Sequence, residues 1–244
     1  MSIFKSKKAY CSAVIVAAGS STRFGSDKLF ATLGGMPVLA RTLAVFEGSP
    51  YINEIIVVTE SEKIMAVAKL CEDYGINKAR KIVCGGATRL ESALSGVSET
   101  DPRADLIAVH DGARPLIAPK IIEDAVLTAK KYRAAVPAVP TKDTVKLANK
   151  SAVYSTPERA EVFSVQTPQV FMPEIIKGAL TNALVEDLTV YDDAQAVEAL
   201  GFTVYLSEGS EENIKITTPL DLLLAETILY SRSLSDVQPK EAAK

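Results

Sequence analysis

The chain has 244 residues, of which 48% are hydrophobic and 23% charged, and its net charge is −3. These are globular proportions, and they exclude a disordered tail, a collagen-like fibre and a disulfide scaffold. With 27 Lys and Arg against 30 Asp and Glu, no bulk positive field exists to hold a nucleic-acid polymer. A local basic site for a small anion stays open. At this length one core is feasible, and a single domain over residues 1–244 is expected.

The three cysteines, Cys11, Cys71 and Cys84, form no CxxC pair, and His110 is the sole histidine. A closed zinc site needs four such ligands, so buried thiols in a reducing compartment are expected instead. No apolar run approaches the roughly 18 residues of a membrane helix. The basic start, MSIFKSKKAY, lacks the apolar centre of a signal peptide. A soluble, cytoplasmic chain is the expectation, with polar, frayed ends at 1–8 and 234–244.

Apolar runs and helical periods alternate along the chain. Residues 13–17 (AVIVA) form an unbroken apolar run, as a strand covered on both faces requires. A helix with apolar residues three and four apart is predicted at 38–46. Strand 54–59, helix 61–74, strand 81–84, helix 88–97, strand 106–110 and helix 119–132 follow. A fifth strand is predicted at 134–139, where Pro137 argues for an edge or a strand end. Residues 141–163 break the rhythm with two short strands around Asn149-Lys-Ser151, a β-arm with too few apolar residues to fold alone. Helices at 172–184 and 192–200, a strand at 202–206 and a helix at 218–230 complete the pattern. Such alternation predicts an α/β fold, a mostly parallel sheet with flanking helices.

Four stretches carry candidate chemistry. The first is Ala17-Ala-Gly-Ser-Ser-Thr-Arg-Phe-Gly-Ser-Asp-Lys28, directly after the first strand. Its small residues let backbone N–H groups approach a phosphate, and Arg23 and Lys28 add charge. It matches neither the P-loop nor the GxGxxG fingerprint, which disfavours an NAD(P) oxidoreductase. The second is His110-Asp-Gly-Ala-Arg-Pro115, at the end of the fourth strand. There Asp111 suits Mg²⁺, which takes one or two carboxylates plus substrate phosphates, and Arg114 suits a phosphate. His110 reads as structural. The third is Gly85-Gly-Ala-Thr-Arg-Leu-Glu-Ser92, where paired glycines leave room for a flat base, or simply precede a helix cap. The fourth is Asn213-Ile-Lys-Ile-Thr-Thr-Pro219, where Lys215 faces away from Ile214 and Ile216, toward a crevice or solvent.

Taken in order, AAG-x-S-x-R…K, GG-x-x-R-x-x-S, HD-x-ARP, Asp143-Thr144, Thr167-Pro-Gln169 and NIK-x-T-x-P-x-DL closely resemble the 2-C-methyl-D-erythritol 4-phosphate cytidylyltransferase family of non-mevalonate isoprenoid biosynthesis. The resemblance runs from about Val14 to Leu229. It implies a Rossmann-like nucleotidyltransferase fold, and homodimers that interlock through the β-arm. It also implies that CTP and a sugar-alcohol phosphate are joined with Mg²⁺ present. By position, Arg23 and Lys28 contact the triphosphate, while Ala17, Ala18, Gly19, Gly86 and Ser92 line the nucleotide site. Asp111 lies by the metal and the reacting phosphates. Arg114, Thr144 and Thr167 hold the acceptor, Arg159 reaches the partner subunit's site, and Lys215 positions the attacking phosphate.

Phe24 stands where the family often has Met, and Tyr191 stands where a threonine is usual. A ribitol 5-phosphate cytidylyltransferase is the nearest rival. A molybdopterin-type nucleotidyltransferase shares Ser21-x-Arg-x-Gly-x-Asp-Lys28 but not the later motifs. A noncatalytic nucleotide-binding regulator would have no need for both Lys28 and Lys215.

Overall fold

The computed structural model describes residues 9–19, 24–25 and 27–237. Arg23 and most of the two polar ends lie outside the described residues. In chain order the elements are β1 (Cys11–Val16), β2 (Thr32–Leu33), β3 (Met36–Pro37), α1 (Val38–Gly48), β4 (Glu54–Thr59), α2 (Ile64–Asp73), β5 (Ala79–Cys84) and α3 (Arg89–Ser98). Next come β6 (Leu106–Asp111), α4 (Pro119–Tyr132), β7 (Ala134–Pro140), β8 (Leu147–Asn149), β9 (Ala152–Ser155) and β10 (Phe163–Val165). The last are β11 (Gln169–Phe171), α5 (Pro173–Val185), α6 (Asp193–Ala199), β12 (Tyr205–Glu208) and α7 (Pro219–Val237).

The main sheet runs β5, β4, β1, β6, β11, β7 and β12, with β10 continuing beside β7. β5, β4, β1 and β6 are mutually parallel, whereas β11 is antiparallel to both its neighbours. The unbroken apolar runs split by parity. Ala13, Ile15, Ile55, Val57 and Ala108 meet the buried faces of α1, α2 and α4. Val14, Ile56, Val58, Ile107 and Val109 meet α3, α5 and α6 on the other side. This is the doubly covered sheet that the composition of the strands demands.

From β1 the chain winds outward through β4 to β5, then returns to place β6 on the other side of β1. The crossovers therefore diverge between β1 and β6, which opens a crevice at their carboxyl ends. Val16 pairs with Asp111 in this register, so residues 17–19 and 111–114 leave the sheet side by side. Everything placed at the site follows from that adjacency.

Several details depart from the sequence reading. Pro137 lies inside β7, which has partners on both edges, not at a sheet edge. It is tolerated because one partner changes from β11 to β10 at that level. The Pro137 carbonyl accepts from Gln166 N at 2.7 Å, and the missing N–H falls in the gap. β2, β3, β10 and β11 are two or three residues long, too short for a period to show. Cys11 and Cys71 are buried, but Cys84 is exposed at the end of β5. The arm is present as β8 and β9, which pair only with each other, with Lys150 left-handed in the turn. Its strands are exposed throughout, Val153 and Tyr154 most of all. Among the described residues no helix is long and apolar enough to cross a membrane.

Two buried positions make the packing testable. A Cβ on Gly96 of α3 would run into Val14 Cγ1 and Val58 Cγ2. Both belong to β-branched side chains stiff at χ1. Alanine gains up to about 1 kcal/mol of helix propensity over glycine, but overpacking costs about 1–3 kcal/mol. Gly96→Ala should therefore lower the urea midpoint without changing the slope of the transition. His110 is fully buried in β6, its ring 4.7 Å from that of Phe46 and its Nδ1 2.9 Å from Thr167 Oγ1. Burial drives its pKa down from 6.5 to about 3. Between those values the unfolded chain binds a proton that the folded chain refuses, so stability falls as pH falls. No other histidine exists. Between pH 6.5 and 4.5 the loss from His110 should approach about 1.4 kcal/mol per pH unit, and His110→Asn should remove most of the slope above about pH 5, below which the lowered carboxylates add their own.

Candidate active site

The crevice between β1 and β6 is a cleft of about 430 Å³. Ala17, Ala18 and Gly19 form one wall as β1 ends, and Ala17 N still donates to Val58 O at 2.7 Å. Gly86, Ala87 and Thr88 form the opposite wall. The two walls approach closely because Gly85 has no side chain; a Cβ there would strike Ala18 Cβ and Ser92 Oγ. Ser92 itself is fully buried. Its hydroxyl accepts from Gly86 N at 3.2 Å and donates to Thr88 O at 2.9 Å, so it clamps the glycine turn from behind. Thr88 caps α3 in a reciprocal box with Glu91, which fixes where the loop stops and the helix begins.

Lys28 and Leu29 line the cleft at the far end of the basic loop. That end is tied to the sheet by Lys63, whose ammonium bridges Asp27 at 2.9 Å and Glu60 at 2.8 Å. Glu60, just past β4, also faces the cleft.

The floor is Asp111, nearly buried at the end of β6. Its Oδ2 receives Lys215 Nζ at 3.0 Å and Arg114 Nε at 3.3 Å. Its Oδ1 has Arg89 Nε at 3.7 Å, beyond hydrogen-bond distance. Burial alone would raise the pKa of this carboxyl. The charges of Lys215, Arg89 and Arg114 outweigh burial and hold it well below the usual carboxylate range. Behind it, Asp111 N donates to Thr167 Oγ1 at 3.1 Å, and Arg114 also donates to Asn213 O at 2.7 Å. Asn213 Nδ2 in turn donates to Thr167 O at 3.1 Å, and Ile216 N to Ala113 O at 2.8 Å. These bonds stitch the Asn213–Pro219 stretch to the end of β6. With Ile216 buried, Lys215 is turned toward the cleft.

Arg89, the first residue of α3, supplies the remaining wall. Its guanidinium forks onto Asp193, with bonds of 2.9 and 2.8 Å. Asp193 opens α6, where Asp192 is the N-cap. Gln169 locks this start, donating to Asp192 Oδ2 at 2.8 Å and accepting from Ala194 N at 2.9 Å.

Seven of the residues expected at a site therefore line one cleft: Ala17, Ala18, Gly19, Lys28, Gly86, Asp111 and Lys215. Ser92, Arg114 and Thr167 stand behind its walls, engaged with the backbone or with Asp111. Thr144 and Arg159 lie on the arm, where Arg159 Nη2 donates to Thr144 Oγ1 at 2.9 Å. Arg89 and Glu60 were not among the expected residues. Arg89 sits inside the GG-x-x-R motif, but nothing local marks Asp193, 104 positions later, as its partner.

The family model described as IspD, 2-C-methyl-D-erythritol 4-phosphate cytidylyltransferase, matches residues 11–231. A relative of that name from Alkaliphilus oremlandii is 43% identical over 225 residues, covering 91% of this chain and 95% of its own. One from Halalkalibacterium halodurans is 44% identical over 223 residues, covering 91% and 97%. Among solved structures, the 4-diphosphocytidyl-2C-methyl-D-erythritol synthase of Anaerococcus prevotii superposes with a TM-score of 0.82. It is 30% identical, with 91% of this chain and 97% of that chain covered. The Thermus thermophilus 2-C-methyl-D-erythritol 4-phosphate cytidylyltransferase gives a TM-score of 0.72 at 31% identity, covering 89% and 98%. With its sheet, its cleft and almost its whole length matched, the chain belongs to the 2-C-methyl-D-erythritol 4-phosphate cytidylyltransferase family.

Proposed function

We propose that this chain is a cytidylyltransferase. It joins CTP and 2-C-methyl-D-erythritol 4-phosphate to give 4-diphosphocytidyl-2-C-methyl-D-erythritol and pyrophosphate. Membership of the family supports the reaction, and one observation carries it for these residues. Two backbone walls, Lys28, Lys215 and Arg89, and the carboxylates of Asp111 and Glu60 face a single cleft at the switch point of the sheet.

An oxygen of the acceptor phosphate attacks the α-phosphorus of CTP. The bond from that phosphorus to the oxygen bridging to the β-phosphate breaks, and pyrophosphate leaves with the electron pair. The acceptor phosphate has a second pKa near 6 and is largely dianionic at neutral pH, so no general base is required. The barrier is repulsion between anions and charge gathering on the leaving group, which positioning and fixed cations relieve. Lys28, with Arg23, holds the triphosphate, and Lys215 orients the attacking phosphate. Ala17, Ala18, Gly19 and Gly86 present backbone to the nucleotide, and Ser92 keeps the glycine turn in place. Arg114 and Thr167 hold Asp111 beside the acceptor.

The family implies dependence on a divalent cation, and the donors here fit one. Asp111 Oδ1 accepts no hydrogen bond among the described residues. Nor does any group of three His, Cys, Asp or Glu side chains gather among them. A single carboxylate completed by substrate phosphates suits Mg²⁺, so Asp111 would hold it. When bound, the cation neutralises triphosphate charge and the charge of the departing pyrophosphate.

The arm belongs to a homodimer in this reading. Among the described residues its strands pair only with each other, and neither Arg159 nor Thr144 lines the cleft. Arg159 of the partner subunit then reaches the acceptor.

Two measurements test this reading. Pyrophosphate release should require CTP, Mg²⁺ and methylerythritol phosphate together, and a panel of polyol phosphates should leave the others slow. Equal turnover of ribitol 5-phosphate would overturn the acceptor assignment. Arg159→Ala and Lys28→Ala chains should each lose about 10²–10³ in rate, and mixing the two should restore part of the activity. Absence of any rescue would rule out sharing between subunits.

A further inference from the structure

Arg89 faces two carboxylates and serves them unequally. Both terminal nitrogens go to Asp193, at 2.9 and 2.8 Å. Only Nε turns toward Asp111, and it stops 3.7 Å from Oδ1. The bidentate fork is the stronger geometry for an arginine and a carboxylate. Asp193 is 1% exposed on its side chain against 31% for Arg89, so the carboxylate is the buried partner and the guanidinium is the one that reaches the cleft. Asp193 is held in turn by its place at the start of α6, which Asp192 caps and Gln169 clamps.

Asp111 is thus left asymmetric. Oδ2 is filled by Lys215 and Arg114, whereas the cation nearest Oδ1 is Arg89 Nε, at 3.7 Å and beyond hydrogen-bond distance. An arginine released from Asp193 has an obvious second partner, the Oδ1 it already faces. A guanidinium seated there would exclude a divalent cation by both volume and charge.

We propose that Asp193 is a positioning residue: by holding both terminal nitrogens of Arg89 it stops the guanidinium short of a hydrogen bond to Asp111, and so reserves Oδ1 for the divalent cation. The inference rests on the cytidylyltransferase reading and deepens it, because it assigns the geometry of the metal carboxylate to a residue on a different helix. Groups that orient metal ligands typically alter metal affinity by about 10–100-fold when removed.

The test uses Mn²⁺ as the probe, titrated by water-proton relaxation into the full chain with CTP present and no acceptor. Asp111→Asn should weaken Mn²⁺ binding, and so should Asp193→Asn, by about 10–100-fold. CTP affinity measured without metal should not fall in Asp193→Asn, whereas a merely structural role would lower it. The deciding chain is Arg89→Gln with Asp193→Asn. It lacks the competitor and leaves no unpaired buried charge, and its Mn²⁺ affinity should return to within about threefold of the unaltered chain. Asp193→Ser replaces Asp193→Asn if the latter does not fold. Unchanged Mn²⁺ affinity in Asp111→Asn or Asp193→Asn, or a double variant as weak as the single, would overturn the proposal. Pyrophosphate release by the unaltered chain is followed in parallel. Tight Mn²⁺ binding without turnover would count against the assigned reaction and leave the role of Asp193 standing.

Discussion

A carboxylate at the end of a buried strand is costly unless cations surround it, and the site is organised around that constraint. Asp111 finishes β6 almost out of reach of water. Removing a charge from solvent costs several kcal/mol, repaid only with close, well-bonded partners. Lys215, Arg114 and Arg89 are those partners, and each comes from a different stretch of chain. Meeting the needs of one anion draws three segments to the mouth of the crevice. Lys215 and Arg89 also line the cleft, so the groups that balance Asp111 are the ones that give the crevice its positive charge.

The supporting bonds show how little freedom the site retains. Thr167 holds the backbone of Asp111 and contacts His110, while Asn213 holds both Thr167 and Arg114. His110, kept neutral by burial, is fully enclosed in this scaffold and does not line the cleft. That is consistent with a reaction whose nucleophile is already ionised. The arm is the opposite case. It has two paired strands, no core of its own and apolar side chains in solvent. An isolated hairpin is marginal in water, and the arm adds no core that would change that.

Much of the fold was legible because its signals are local. The runs at 13–17, 54–59 and 106–110 are strands because they are apolar without interruption. Pro119 and Pro173 begin helices because their fixed φ suits a first turn. Where the sequence misled, a partner had intervened. Pro137 suggests an edge, yet a change of neighbours within the sheet leaves its missing donor harmless. β10 and β11 carry no period because each is three residues long, and pairing with β7 defines them.

By itself, the sequence determined the alternation of strands and helices, the position of the small-residue loop after the first strand, and the family to which the motifs point. It did so because hydrophobic period, turn chemistry and motif order are written within a few residues of one another. Only the tertiary structure decided which of two directions Lys215 takes, and that Ser92 braces a turn while Lys28 faces the cleft. It alone decided that Arg89 is shared between Asp111 and Asp193. Those outcomes depend on which distant side chains occupy the neighbouring space. A contact spanning 104 positions leaves no trace in the local pattern at either end.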